Sequence, residues 1–79
     1  MRPNKYVVLK ELDKRYKIRK LDAIDGMIVS DTIDIAERLD PKFEAFVSLM
    51  GQIGLNMGVE VEYAFIKKTW EIWNETFVD

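Results

Sequence analysis

From Val59 to Phe77 the residues Val59, Tyr63, Ile66, Trp70, Trp73 and Phe77 follow one another in steps of 4, 3, 4, 3 and 4. That rhythm belongs to an α-helix and not to the two-residue alternation of a strand, so it commits this stretch to a helix with one apolar seam. Val61, Phe65 and Ile72 widen the seam on its flanks. A helix of this length gains most of its stability from covering such a face, so the rest of the chain, or a partner, has to supply the cover. The chain has 79 residues, enough for one small domain. A lone core at that size rarely supplies more than about 3–5 kcal/mol.

Cysteine and histidine are both absent. Disulfide staples, thiolate or imidazole zinc sites, Cys or His nucleophile chemistry and the Ser-His-Asp triad are thereby excluded. What remains is apolar burial, and a hydrophobic content of 48% with nine aromatic residues suffices for an ordered globular domain.

Ahead of the seam, Asp40-Pro41 reads as a helix start, with Asp as N-cap and Pro in the first turn. Phe43, Phe46, Val47, Met50, Ile53 and Met57 follow at helical steps, and Gly58 is the expected stop. An earlier helix is expected from Ala23, capped by Asp22 and favoured by Asp25 in its first turn. Its apolar face is read as Ile24, Met27, Ile28, Ile35 and Leu39, with Asp31 as the one flaw. A competing reading makes residues 26–30 a turn plus strand with the helix starting at Asp31; the continuous helix fits the spacing better.

Residues 6–20 divide into two extended candidates around Asp13-Lys14. Tyr6-Val7-Val8-Leu9 has strand composition, and Tyr16 and Ile18 alternate with Arg15, Lys17 and Arg19, placing the cations on one face. The fold expected is therefore α+β in a single domain over 1–79. A basic β-hairpin (1–21) packs on about three α-helices (22–79).

Charge is divided along the chain. Residues 1–20 carry eight cations against two carboxylates, and the remainder carries four against twelve. No continuous apolar leader or membrane-length run is present, so the expectation is a cytoplasmic protein without membrane contact. Asp31, Asp34, Glu37 and Asp40 recur every third residue, as on a solvated helix surface and unlike a calcium loop. Glu60 and Glu62 suit a helix N-terminus better than a catalytic dyad, being two residues apart. Gly51-Gln52-Ile53-Gly54 lacks the basic residues of a nucleotide-clamping loop, and Lys67-Lys68 has no glycine loop beside it. No catalytic, metal or cofactor-binding residues are expected, and the chain reads as a non-enzyme.

Arg15-Tyr16-Lys17-Ile18-Arg19-Lys20-Leu21-Asp22-Ala23-Ile24-Asp25-Gly26, a basic strand entering a capped helix, resembles the opening of small tail assembly chaperones of tailed bacteriophages. The resemblance covers about a dozen residues. It implies a viral protein in the host cytoplasm that binds tail components during assembly, with no catalytic residue and no cofactor.

The function expected is non-enzymatic protein-protein interaction or assembly. Tyr63, Ile66, Trp70, Trp73 and Phe77 are the expected contact residues, a protein the partner, and a homo-oligomer the expected state. One alternative is a small acidic inhibitor of a host enzyme or defence complex, with carboxylates imitating nucleic-acid charge. The other is a nucleic-acid binder using the basic face Arg15, Lys17, Arg19 and Lys20; the twelve carboxylates after residue 20 disfavour it.

Overall fold

The computed structural model describes residues 4–15 and 21–75. Four α-helices account for the regular structure among them: α1 Lys5–Arg15, α2 Ala23–Leu39, α3 Phe43–Asn56 and α4 Tyr63–Glu75. The principal contacts run α1 to α2, α2 to α3, α3 to α4 and α4 back to α1, a closed ring. One core forms inside it from Val8 and Leu12 of α1, Ile28, Val29, Ile33 and Ala36 of α2, Phe46 and Met50 of α3, and Phe65, Ile66, Ile72 and Trp73 of α4.

The expected N-terminal β-hairpin is not there. Tyr6-Val7-Val8-Leu9 lies in α1, and Asp13-Lys14, read as its turn, falls in the last turn of the same helix. The fold is therefore all-helical among the described residues, not α+β; the second candidate strand lies mostly in 16–20, outside them. Several local preferences outweigh the strand composition. The Asn4 Oδ1 accepts hydrogen bonds from the Tyr6 and Val7 amides, each at 3.1 Å, and so caps the helix. Lys14 and Arg15 meet the negative end of the helix dipole, and Glu11 pairs with Arg15 at 3.4 Å one turn away. Val8 and Leu12, four apart, both reach the core. Burying those two side chains contributes about 1.5–3 kcal/mol each, whereas strand propensity spans only about 1 kcal/mol.

Helix α2 begins as expected. Asp22 accepts the Asp25 amide at 2.7 Å, and the helix continues without a break through 26–30. Its inward face differs from the one expected. Asp25, Ile28, Val29, Thr32, Ile33 and Ala36 are buried, whereas Ile24, Met27 and Leu39 are exposed. The helix carries two apolar faces, and the Thr32 hydroxyl, donating to the Ile28 carbonyl at 2.7 Å, lets a polar residue sit at the centre of the buried one.

Asp40 serves the end of α2 and not the start of α3. It adopts left-handed φ 49° and donates its amide to the Ala36 carbonyl at 2.8 Å, while Lys42 stands at the N-cap of α3. Helix α3 ends where expected. Gly58 has φ 80°, its amide donates to the Leu55 carbonyl and the Val59 amide to the Gly54 carbonyl, a paired closure that suits glycine at the left-handed position. The chain then returns across Gly54, where a Cβ would overlap the Val61 side chain and stand 3.0 Å from the Val59 carbonyl oxygen. Residues 59–62 are not helical, so Glu60 and Glu62 precede α4; the Glu62 carbonyl accepts from the Phe65 and Ile66 amides.

Candidate functional site

The α4 seam expected from sequence is rotated in the structure. Phe65, Ile66, Thr69, Ile72 and Trp73 are buried, which turns the inward face by roughly 80° from the expected line at 100° per residue. Thr69 lies at the centre of that face, and its hydroxyl donates to the Phe65 carbonyl at 2.9 Å. The shift follows from α4 packing on α1 and α3 together, which covers more of its circumference than a single seam would.

Of the five contact residues expected on this helix, Ile66 and Trp73 (1% exposed) belong to the core. Tyr63 is 58% exposed and Trp70 half-buried, and Phe77 lies outside the described residues. Tyr63 and Trp70 share a neighbour the sequence reading assigned only to its own helix. The Phe43 ring stands 6.0 Å from Tyr63, edge-on, and 5.7 Å from Trp70, while Phe46 meets Trp70 at 5.1 Å. Aromatic pairs at these separations contribute about 0.5–1.5 kcal/mol each beyond burial. The result is a ring cluster along the seam between α3 and α4, rooted in the core through Phe46 and open to solvent at Tyr63. The only signal for it in the sequence is that Phe43 opens one helix as Tyr63 opens another, and a pairing of helices cannot be read from that.

The basic face is represented by Arg15. Its Nη2 lies 2.6 Å from Glu75 Oε2, closing α1 onto α4, and its Nε lies 3.4 Å from Glu11. The hydrogen bond to Glu75 raises the Arg15 pKa, and the same bond holds the Glu75 carboxyl below its ordinary range. Lys17, Arg19 and Lys20 lie outside the described residues. At the other end of α1, Lys5 Nζ reaches Asp34 Oδ2 at 3.1 Å, and this hydrogen bond raises the Lys5 pKa. Asp31, Glu37 and Asp40 are exposed.

Asp25 lines a small pocket of about 30 Å³ with Val59, Glu60, Val61, Glu62 and Phe65. Among the described residues no three carboxylates converge as a metal site would require. No described helix is long and apolar enough to cross a membrane. Comparison of the chain with protein-family models, with curated proteins and with solved structures finds no match.

Proposed function

We propose that the chain works by protein-protein contact, as an interaction or assembly factor without catalytic activity, and that the α3–α4 aromatic seam is its contact surface. One observation carries this reading: Tyr63 and Trp70 remain at the surface of a core that already holds Trp73, and both are backed by Phe43. Tyrosine and tryptophan held in place from beneath lose little side-chain freedom on binding, which is what makes them effective at the centre of an interface. A second copy of the chain is the first partner proposed, with Phe43, Tyr63 and Trp70 at the contact in place of the already buried Ile66 and Trp73. The tail-assembly role and the host cytoplasm stand as the setting that the resemblance of residues 15–26 suggests. Nucleic-acid binding ranks lower because Arg15 is engaged by two carboxylates.

The test is sedimentation equilibrium at micromolar concentration, together with affinity purification from the native cell, on the parent chain and on Tyr63→Ala. The parent is expected to associate with itself or retain a partner. Tyr63→Ala is expected to keep its circular dichroism spectrum and lose that association. Equal retention by both proteins, or a 9.3 kDa monomer with no partner in either experiment, rejects the seam as the contact surface.

A further inference from the structure

The outward face of α2 is the least ordinary part of the surface. Ile24 (46% exposed) and Met27 (57% exposed) lie on one line with Asp31 and Ile35, at helical spacings of three and four. Opposite the second half of that line, Ile53 and Asn56 of α3 and Met57, which caps that helix, form the other wall of a cleft of about 300 Å³, with Asp31, Asp34 and Ile35 on the α2 side. The cleft thus has an apolar interior of Ile35, Ile53 and Met57. Two carboxylates stand on one rim, and the apolar residues Met27 and Ile24 continue it along α2. Its volume is at the small end for a ligand site and suits one or two large apolar side chains.

The charges around the cleft restrict what can lie in it. Lys5 pairs with Asp34 and its charge also reaches Asp31 at longer range, so two carboxylates share one cation, and Asp31, the exposed one, has no ion pair of its own within 4 Å among the described residues. Helix α3 carries no basic residue, and the one cation of α2, Arg38, sits a turn beyond Asp34. A symmetric contact between two copies across this cleft would put two acidic rims, each carrying Asp31 and Asp34, into one interface with only the two Lys5 side chains to offset them, and an excess of like charge opposes association. An acidic or nucleic-acid partner meets the same repulsion.

From this arrangement we infer that the α2–α3 cleft receives a cationic amphipathic helix of a partner protein, with large apolar side chains against Ile35, Ile53 and Met57 and a lysine or arginine at Asp31. A helix lying along the groove would extend over the exposed side chains of Met27 and Ile24. The inference shares with the proposed function only the premise of protein-protein contact. It uses the other flank of α3, so the two surfaces fail or succeed separately.

The experiment uses a fluorescent synthetic peptide about five helical turns long, leucine on one face and lysine on the other, and a control with glutamate in place of lysine. Both are titrated into the full chain at physiological ionic strength, and the bound state is mapped by methyl and aromatic nuclear magnetic resonance shifts. The lysine peptide is expected to bind saturably at one to one and to move the methyl signals of Met27, Ile35, Ile53 and Met57, while the glutamate peptide does not bind. Asp31→Lys, at an exposed position, is expected to keep the helical circular dichroism spectrum and to weaken binding about ten-fold or more. Four results overturn the inference: equal binding of the two peptides, non-saturating shifts spread over the acidic surface, no effect of Asp31→Lys, or absence of binding. Shifts confined to Tyr63 and Trp70 overturn it as well while leaving the α3–α4 seam as a contact surface.

Discussion

Gly51 and Gly54 sit three residues apart in one helix, and only the second has a packing reason to be glycine. A Cβ at Gly51 meets nothing within 4 Å, whereas at Gly54 it collides with the returning chain at Val61. Gly51→Ala is therefore expected to stabilise the protein by about 0.5–1 kcal/mol, through helix propensity and a less flexible unfolded chain. Gly54→Ala is expected to destabilise it by about 1–3 kcal/mol, the usual cost of an overfilled contact. Urea denaturation of the two variants measures both, and equal midpoints would show that residues 59–62 do not lie over α3. The pair also marks what was legible. Two glycines in a helix announce a close approach or a weak turn, but only the position of Val61 says which glycine is needed.

At the scale of elements, α1 is the one the sequence disguises. Two of its eleven residues are fully buried, so it has no broad apolar stripe to set against the strand-like run Tyr6 to Leu9. The cap at Asn4 and the four-residue step from Val8 to Leu12 were the available signals, and both are short. Arg15 to Glu75 and Lys5 to Asp34 tie the two ends of this helix to α4 and α2. Their linkage to pH has opposite signs. The Glu75 pKa is lowered by Arg15, so the stability it contributes is present above the ordinary carboxylate range and disappears as pH falls through the lowered value. The Lys5 pKa is raised by Asp34, so its contribution is present below the ordinary lysine value and disappears only as strong alkali passes the raised one. Comparing thermal midpoints of the parent and Glu75→Gln is expected to show a small gap at neutral pH that closes in acid and narrows in high salt. A gap that persists unchanged in acid would mean that Glu75 acts by packing and not by its charge.

The described part of the molecule measures 34 × 26 × 18 Å, and its shortest extent allows two layers of helices at the usual 8–10 Å spacing. Each helix consequently keeps an outward face, which explains how so small a protein exposes Met27, Tyr63 and Leu55 while burying Trp73. With all four helices contributing to one core, removal of any one opens the rest. Leu12→Ala is accordingly expected to cost about 2–5 kcal/mol, comparable to the entire stability of a domain this size, and to unfold α4 along with α1. Unfolding of the parent followed by tryptophan fluorescence and by circular dichroism is expected to give coincident transitions. Separate transitions would identify α1 as an independent flap and remove the basis for a single core.

The sequence by itself determined roughly where three of the helices lie, though not where α3 and α4 begin, together with the Asp22 cap, the Gly58 stop and the exclusion of cysteine and histidine chemistry. These are properties of consecutive residues, written in spacing, capping and composition. Tertiary structure alone decided which of the two apolar faces of α2 turns inward, how far α4 is rotated, whether Tyr6 to Leu9 is helix or strand, and which tryptophan is core. In each of these cases two local arrangements bury similar apolar area or differ by less than a buried side chain contributes, so the choice falls to the neighbouring helix. Phe43 meets Tyr63, and Ile35 faces Ile53 across a cleft, only because the chain closes into a ring, and no periodicity within either helix contains that fact.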